Sequence, residues 1–251
     1  MLATPKRHFD EDLVRACGLI NHAITIQEGD LQGDILRAGW MMGVGACDAY
    51  FSDAYGDLLA RTLRAKGLQR GVAIPDRLNN LKVPVMAVLN DTHEGWRWRM
   101  AARELIEEEN VLSLDKIRKL FNHFFRPGHK IVNQETIETW ILHPDAKSRL
   151  FGITATDYRR LARPDRPDAK KAALEHFEEY FEAVFQRRHD CIHNCDRPKI
   201  AIQHIAAQTV EKKVQDIDFL VSRCHEAFLD EFPRYLQGLG FGAVTRNQVC
   251  Q

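Results

Sequence analysis

Residues 34–67 read DILRAGWMMGVGACDAYFSDAYGDLLARTLRAKG. Within them Leu36, Trp40, Val44, Cys47, Tyr50, Phe51, Tyr55, Leu58, Leu59 and Leu63 recur at three- and four-residue steps, the spacing that stacks side chains along one side of an α-helix. The stretch predicts a long amphipathic helix over 34–63 that stops near Gly67. Gly39, Gly43 and Gly45 are poor helix formers, each costing about 1 kcal/mol against alanine. Their spacing predicts the close approach of a second helix rather than a break.

Working outward, the same period returns. Ser113 fits an N-cap ahead of Leu114, Ile117, Leu120, Phe121, Phe124 and Phe125, with Asp115 in the first turn and Pro127-Gly128 as the stop. A shorter helix is expected over 134–142 and a long one over 168–194. A last long helix is expected over 198–232, with Pro198 in its first turn and Pro233 at its end. Helix is also expected over 94–109, and the run 83–89 reads as helix for want of any strand partner. The charged, proline-bearing stretch 157–170 reads as a connection. The fold class is therefore all-α: a single helical bundle with long helices near both ends. Residues 1–33 are expected to be an N-terminal extension, 34–235 the helical domain and 236–251 a C-terminal tail.

Composition bounds the function. The chain has 251 residues, with 35 Lys+Arg against 35 Asp+Glu, 45% hydrophobic and 28% charged residues. That is a chain able to bury a core without disulfides. Zero formal charge excludes a surface coated in positive charge that binds nucleic acid anywhere, but not a local basic site. No run is long and apolar enough for a membrane helix, and the charged beginning of the chain lacks a signal-type apolar segment. The six scattered cysteines read as free thiols of a reducing cytoplasm. Phosphate-binding glycine loops, a G-x-S-x-G elbow and an H-E-x-x-H helix are all missing from the sequence.

One constellation stands out: Arg187, Arg188, His189, Asp190, Cys191, Ile192, His193, Asn194, Cys195, Asp196 and Arg197. His189 and His193 share a helix face, and Cys191 and Cys195 share another, so the four cannot converge on one metal ion from a regular helix. A second reading is acid–base work on phosphodiesters: histidine passes protons near neutral pH, and arginine holds a phosphate through its planar fork. The plain alternative is a solvated helix end whose cations complement the macrodipole.

The string Arg188-His189-Asp190-Cys191-Ile192-His193-Asn194 resembles the R-x4-6-H signature of HEPN domains. The surrounding chain is similar to their RiboL-PSP-HEPN branch, through Arg103-Glu104-Leu105-Ile106-Glu107, Asn110-Val111-Leu112-Ser113-Leu114-Asp115-Lys116-Ile117 and the early Asp48-Ala49-Tyr50-Phe51. The resemblance spans about residues 35–232. It implies a metal-independent endoribonuclease, a defence or toxin component, that attacks with the RNA 2′-hydroxyl and leaves a 2′,3′-cyclic phosphate. It implies a homodimer with a composite site, no cofactor and no metal, RNA as partner, and a neutralising or regulatory protein. His193 would be the general acid or base, Arg188 would bind the scissile phosphate, and His189 would orient them or touch RNA. Asn194 would help position His193, and Asp48 would be the acidic residue of the first core helix. Arg187, Arg197 and Lys199 are the cations expected to bind RNA. Position 195 is Cys rather than the Tyr that some HEPN toxins offer to a modifying antitoxin. The alternative is a catalytically inactive HEPN module that binds RNA or protein.

Two further features point toward RNA. Trp96, Arg97, Trp98, Arg99 and Arg103 could stack and pair with single-stranded bases. The segment 158–171 carries a local charge of +4 and could steer RNA to the site. The Cys191/Cys195 pair reads either as an oxidation sensor or as inert thiols.

Overall fold

A computed structural model describes residues 1–27, 29–79, 113–197 and 201–251. The expectations for 83–89 and 94–109, the Trp96–Arg103 cluster and Lys199 lie outside the described residues. Among the described residues every regular element is helical and there is no strand. The helices are α1 (Ala3–Thr25), α2 (Asp30–Leu68), α3 (Asp76–Asn79), α4 (Leu114–Phe121), α5 (Gln134–Ile141), α6 (Ser148–Phe151), α7 (Ala155–Arg160), α8 (Arg166–Asn194), α9 (Ala207–Gly238) and α10 (Ala243–Cys250).

Helix α2 is the stem of the bundle, and it is less amphipathic than its sequence suggests. The consecutive residues Ala54, Tyr55, Gly56, Asp57, Leu58 and Leu59 are all buried, which is the state of a helix enclosed on every side. Helices α1, α8, α9 and α10 surround it. The glycines explain how closely. A Cβ on Gly39 would lie 3.1 Å from Ile20 Cγ1 of α1, and one on Gly43 would lie 3.1 Å from Val214 Cγ2 of α9. Gly45 meets nothing within 4 Å, so it bears the helix cost without a packing return. Gly45→Ala is therefore expected to stabilise the protein by about 0.5–1 kcal/mol, while Gly43→Val destabilises it. Urea unfolding of the two variants checks the opposite signs.

Boundaries differ from the sequence reading at both ends of the chain and at 157–170, where the expected connection contains most of α7 and the first turn of α8. The stretch set apart as an N-terminal extension contains α1, which buries Phe9, Leu13, Ala16, Ile20 and Ala23 at alternating four- and three-residue steps. Asp57 accepts the Leu2 N–H at 3.0 Å and Arg61 Nε at 2.7 Å, fixing the start of α1 to α2. The last long helix begins at Ala207 rather than 198 and runs through Pro233 to Gly238. Proline removes the N–H that would reach the carbonyl four residues back. That residue, Leu229, is 40% exposed, and beyond the proline Tyr235 and Leu236 are buried and hold the helix on course. The expected tail folds as α10, which buries Val249 and accepts Arg61 at the Val249 carbonyl.

Capping agrees with the sequence where it was read. Ser113 accepts the Lys116 N–H at 3.2 Å at the start of α4; at α5, where no cap was read, Asn133 forms a capping box with Thr136. Two groups of rings fill the core. Phe51, Phe121, Phe124, Phe228 and Phe232 join α2, α4 and α9. Trp140, Phe151, Phe177 and Phe219 join α5, α6, α8 and α9.

A polar cluster crosses from α6 to α9. Arg149 Nε and Nη2 hold buried Asp216 at 2.9 and 2.7 Å, and the Tyr180 hydroxyl also donates to that carboxylate. Lys213 Nζ sits 3.4 Å from the centre of the Tyr180 ring. Burial, with Arg149 adding to it and Asp216 opposing, pulls Lys213 down to about 8; the ring face offsets part of that burial cost. Below this value the amine is charged in folded and unfolded chains alike. Between about 8 and the ordinary 10.5 only the folded chain has released the proton, so stability rises with pH across that window. Lys213→Met is expected to flatten this rise and to raise the melting temperature at pH 7. Thermal melts from pH 7 to 10.5 check it, and an unchanged slope would remove Lys213 as the cause.

Candidate functional site

The cluster read from the sequence occupies the last two turns of α8 and the residues after it. Cys195 and Asp196 both take positive φ, 49° and 57°, a conformation costing non-glycine residues about 1–2 kcal/mol each. Both backbone N–H groups turn back to the Asp190 carbonyl, that of Asp196 at 3.0 Å. The strained exit is held from below. Asp196 is fully buried, and its Oδ2 accepts Arg37 Nε of α2 at 2.8 Å and Arg187 Nη2 at 3.0 Å. Arg37 also reaches the Gln203 carbonyl at 2.7 Å, and Arg187 the His204 carbonyl at 3.1 Å. The second oxygen of Asp196 has no hydrogen bond.

This network separates neighbours that the sequence left equivalent. Arg187 packs over the Trp40 ring at 5.2 Å and donates through Nη2 to Asp196 and to the His204 carbonyl, while its Nε is buried without a hydrogen bond. The expectation that Arg187 binds RNA does not fit that position. Arg188 has no ion-pair partner among the described residues, and its Nε is buried without a hydrogen bond. Arg197 is exposed and lines a cavity of about 970 Å³ together with Asp30, Asp34 and Gln203, on the side of the chain where α2 begins.

The two histidines come together as their spacing requires. His189 and His193 are exposed, with ring centres 4.4 Å apart and planes tilted by 42°. Asp48 of α2 is half-buried. Burial pushes its carboxyl up, and the positive charge of Arg188 pulls it back. The two are therefore electrostatic neighbours, although no ion pair within 4.0 Å joins them. Asn194 donates to the Asp190 carboxylate at 3.4 Å, which also accepts Gln186 at 3.0 Å, and makes no bond to either imidazole. Arg188, His189 and His193 thus lie in the last two turns of α8, with Asp48 of α2 electrostatically close to Arg188; Asn194 is beside them but engaged elsewhere.

Other expectations fall away from this end. The basic ground at 158–171 surrounds the first turn of α8, about 30–40 Å along the helix from Arg188 and His193. Part of it is already paired: Lys170 binds Glu138 at 3.1 Å, and Arg166 lies over the Tyr158 ring. At that distance it does not border the histidines. The Cys191 thiol is pushed up to about 11, chiefly by burial, which makes it a poor nucleophile at neutral pH. Among the described residues no group of three or more His, Cys, Asp or Glu side chains is arranged to hold a metal ion, and no helix is long and apolar enough to cross a membrane.

A feature the sequence reading missed adjoins the cluster. A groove of about 390 Å³ runs from Arg188 and His189 along α8 to the start of α4. Glu178, Glu182, Phe185, Gln186 and His189 all line it. Their spacing of three, four and seven residues puts them on one face of α8, a signal available in the sequence. Ser113 and Leu114 of the facing α4 cap complete the groove, and no spacing rule could supply those. No known family model, curated protein or solved structure matches the chain.

Proposed function

We propose that this all-α protein is a metal-independent endoribonuclease of HEPN type that acts in cellular defence or as a toxin. The observation that carries the reading is the placement of Arg188, His189 and His193 within the last two turns of α8, where the two exposed imidazoles lie 4.4 Å apart and Asp48 is an electrostatic neighbour of Arg188. Among the described residues no ion pair within 4.0 Å engages the Arg188 guanidinium, which leaves its fork open to a phosphate. An exposed imidazole beside it can move a proton at neutral pH.

In the proposed reaction the RNA 2′-oxygen attacks the adjacent phosphorus as its proton is taken up. The bond from phosphorus to the 5′-oxygen breaks, and that oxygen leaves with a proton. The products are a 2′,3′-cyclic phosphate and a 5′-hydroxyl. His193 moves the proton, Arg188 stabilises the charge on the phosphoryl oxygens, and His189 orients them. Exposure of this end leaves room for a second copy to complete the site.

The test is incubation of the purified protein with single-stranded RNA in EDTA. Cleavage to cyclic-phosphate ends supports the reading, and the absence of products at every protein concentration overturns it. RNA or protein binding that survives His193→Ala without any cleavage would mark a non-catalytic helical module instead.

A further inference from the structure

We infer that the groove between α8 and α4 is a base-recognition subsite that selects guanine next to the cleaved phosphate; this rests on the nuclease reading above. One end of the groove is Arg188 and His189, and its floor holds the buried apolar side chains of Leu114 and Phe185. Three carboxylates line it, and they are not equivalent. Glu178 is paired with Arg118, while Asp115 is paired with Lys119 at 2.7 Å and lies 3.9 Å from Arg118. Glu182 has no ion-pair or hydrogen-bond partner among the described residues.

That arrangement matches a nucleotide part by part. A phosphate belongs at the cationic end, where Arg188 forms no ion pair within 4.0 Å among the described residues. A base plane belongs over the apolar floor, since unpaired RNA bases are held by packing on their faces and hydrogen bonding on their edges. Glu182 lies six residues before Arg188, about 9 Å along the helix axis, which is of the order of the span from a nucleotide's phosphate to the pairing edge of its base. A free carboxylate offers two acceptors and no donor. Guanine alone presents two adjacent donors, N1–H and the N2 amine, on that edge. Adenine and cytosine each pair one donor with an acceptor there, and uracil flanks its single donor with carbonyls that a carboxylate repels. The Gln186 amide, which already donates to Asp190 at 3.0 Å, leaves its oxygen as a further acceptor.

The experiment has two arms on the full chain. Binding of guanosine, inosine, adenosine, cytidine and uridine 3′-monophosphates is measured by calorimetry. Cleavage is mapped on single-stranded RNA in EDTA, with inosine substituted for guanosine in a matched set. A bidentate base contact discriminates by about 5- to 150-fold, so guanosine phosphate is expected to bind at least ~5-fold more tightly than the others. Inosine, which lacks the N2 amine, should lose much of that margin, and cleavage should fall beside guanosine. Glu182→Gln should erase the preference in both arms, while Glu179→Gln, an exposed carboxylate of α8 outside the groove, should keep it; circular dichroism confirms that both fold. Cleavage without base preference, together with equal binding of all five nucleotides, overturns the subsite and leaves the nuclease reading intact. Guanine-selective binding through Glu182 without any cleavage supports the subsite and removes the nuclease. The loss of both selectivity and cleavage removes both.

Discussion

His193→Ala is expected to lower RNA cleavage about 100- to 10,000-fold, the range that one positioned proton-transfer group contributes. The side chain is exposed and, among the described residues, packs only on the neighbouring His189 ring, so the fold should survive and the loss should lie in the rate. Arg188→Ala should cost a comparable factor. Arg188→Lys should recover little of it, because an ammonium keeps the charge but loses the planar fork that grips two phosphoryl oxygens. His189→Ala should cost less, since that ring orients rather than transfers. Single-turnover cleavage of a labelled RNA in EDTA, with melting temperatures run alongside, separates these outcomes. A His193→Ala protein that keeps wild-type rates, or one that loses activity only because it has melted, would end the assignment of that residue.

Asp196→Ala is expected to be the most damaging substitution outside the apolar core, at about 3–5 kcal/mol, the usual cost of breaking a buried ion pair from one side. The carboxylate has no exposed surface, and the side chains of its partners Arg37 and Arg187 are only 12% and 16% exposed. Removing it strands two guanidinium groups in a largely dry place and releases two residues from a backbone conformation that they adopt at a cost. Arg188 and His193 lie in the last two turns of α8, which end at this anchor, so cleavage should fall along with stability. Urea unfolding measures the first effect. A loss below about 1 kcal/mol would show that the Asp196 network is not what holds the end of α8. Asp196→Asn should lie between the two, since the amide oxygen still accepts one bond but brings no charge.

The two experiments also divide what could be read along the chain from what could not. Helix existence came from apolar spacing, as in α2, and local chemistry placed the Ser113 cap. Boundaries failed where neighbours overrode local rules. Pro233 reads as a stop, yet Tyr235 and Leu236 carry the helix past it because the core accepts them. The α1 stripe is faint in the sequence because it is narrow, two of its five spaced positions are alanine, and charged residues crowd around it.

For this protein the sequence by itself determined an all-α chain and brought His189 and His193 to one face, since side chains four apart on a helix must adjoin. It could not tell Arg187 from Arg188. Adjacent residues point about 100° apart, and which direction meets a partner depends on what packs there. Tertiary structure decided that: Trp40, Arg37 and the turn at Asp196 captured Arg187 and left Arg188 beside Asp48. It also brought Leu114 against Glu182 to make a groove from distant parts of the chain. The helical period fixes the face a residue occupies, and only the packing of one helix on another decides what that face meets.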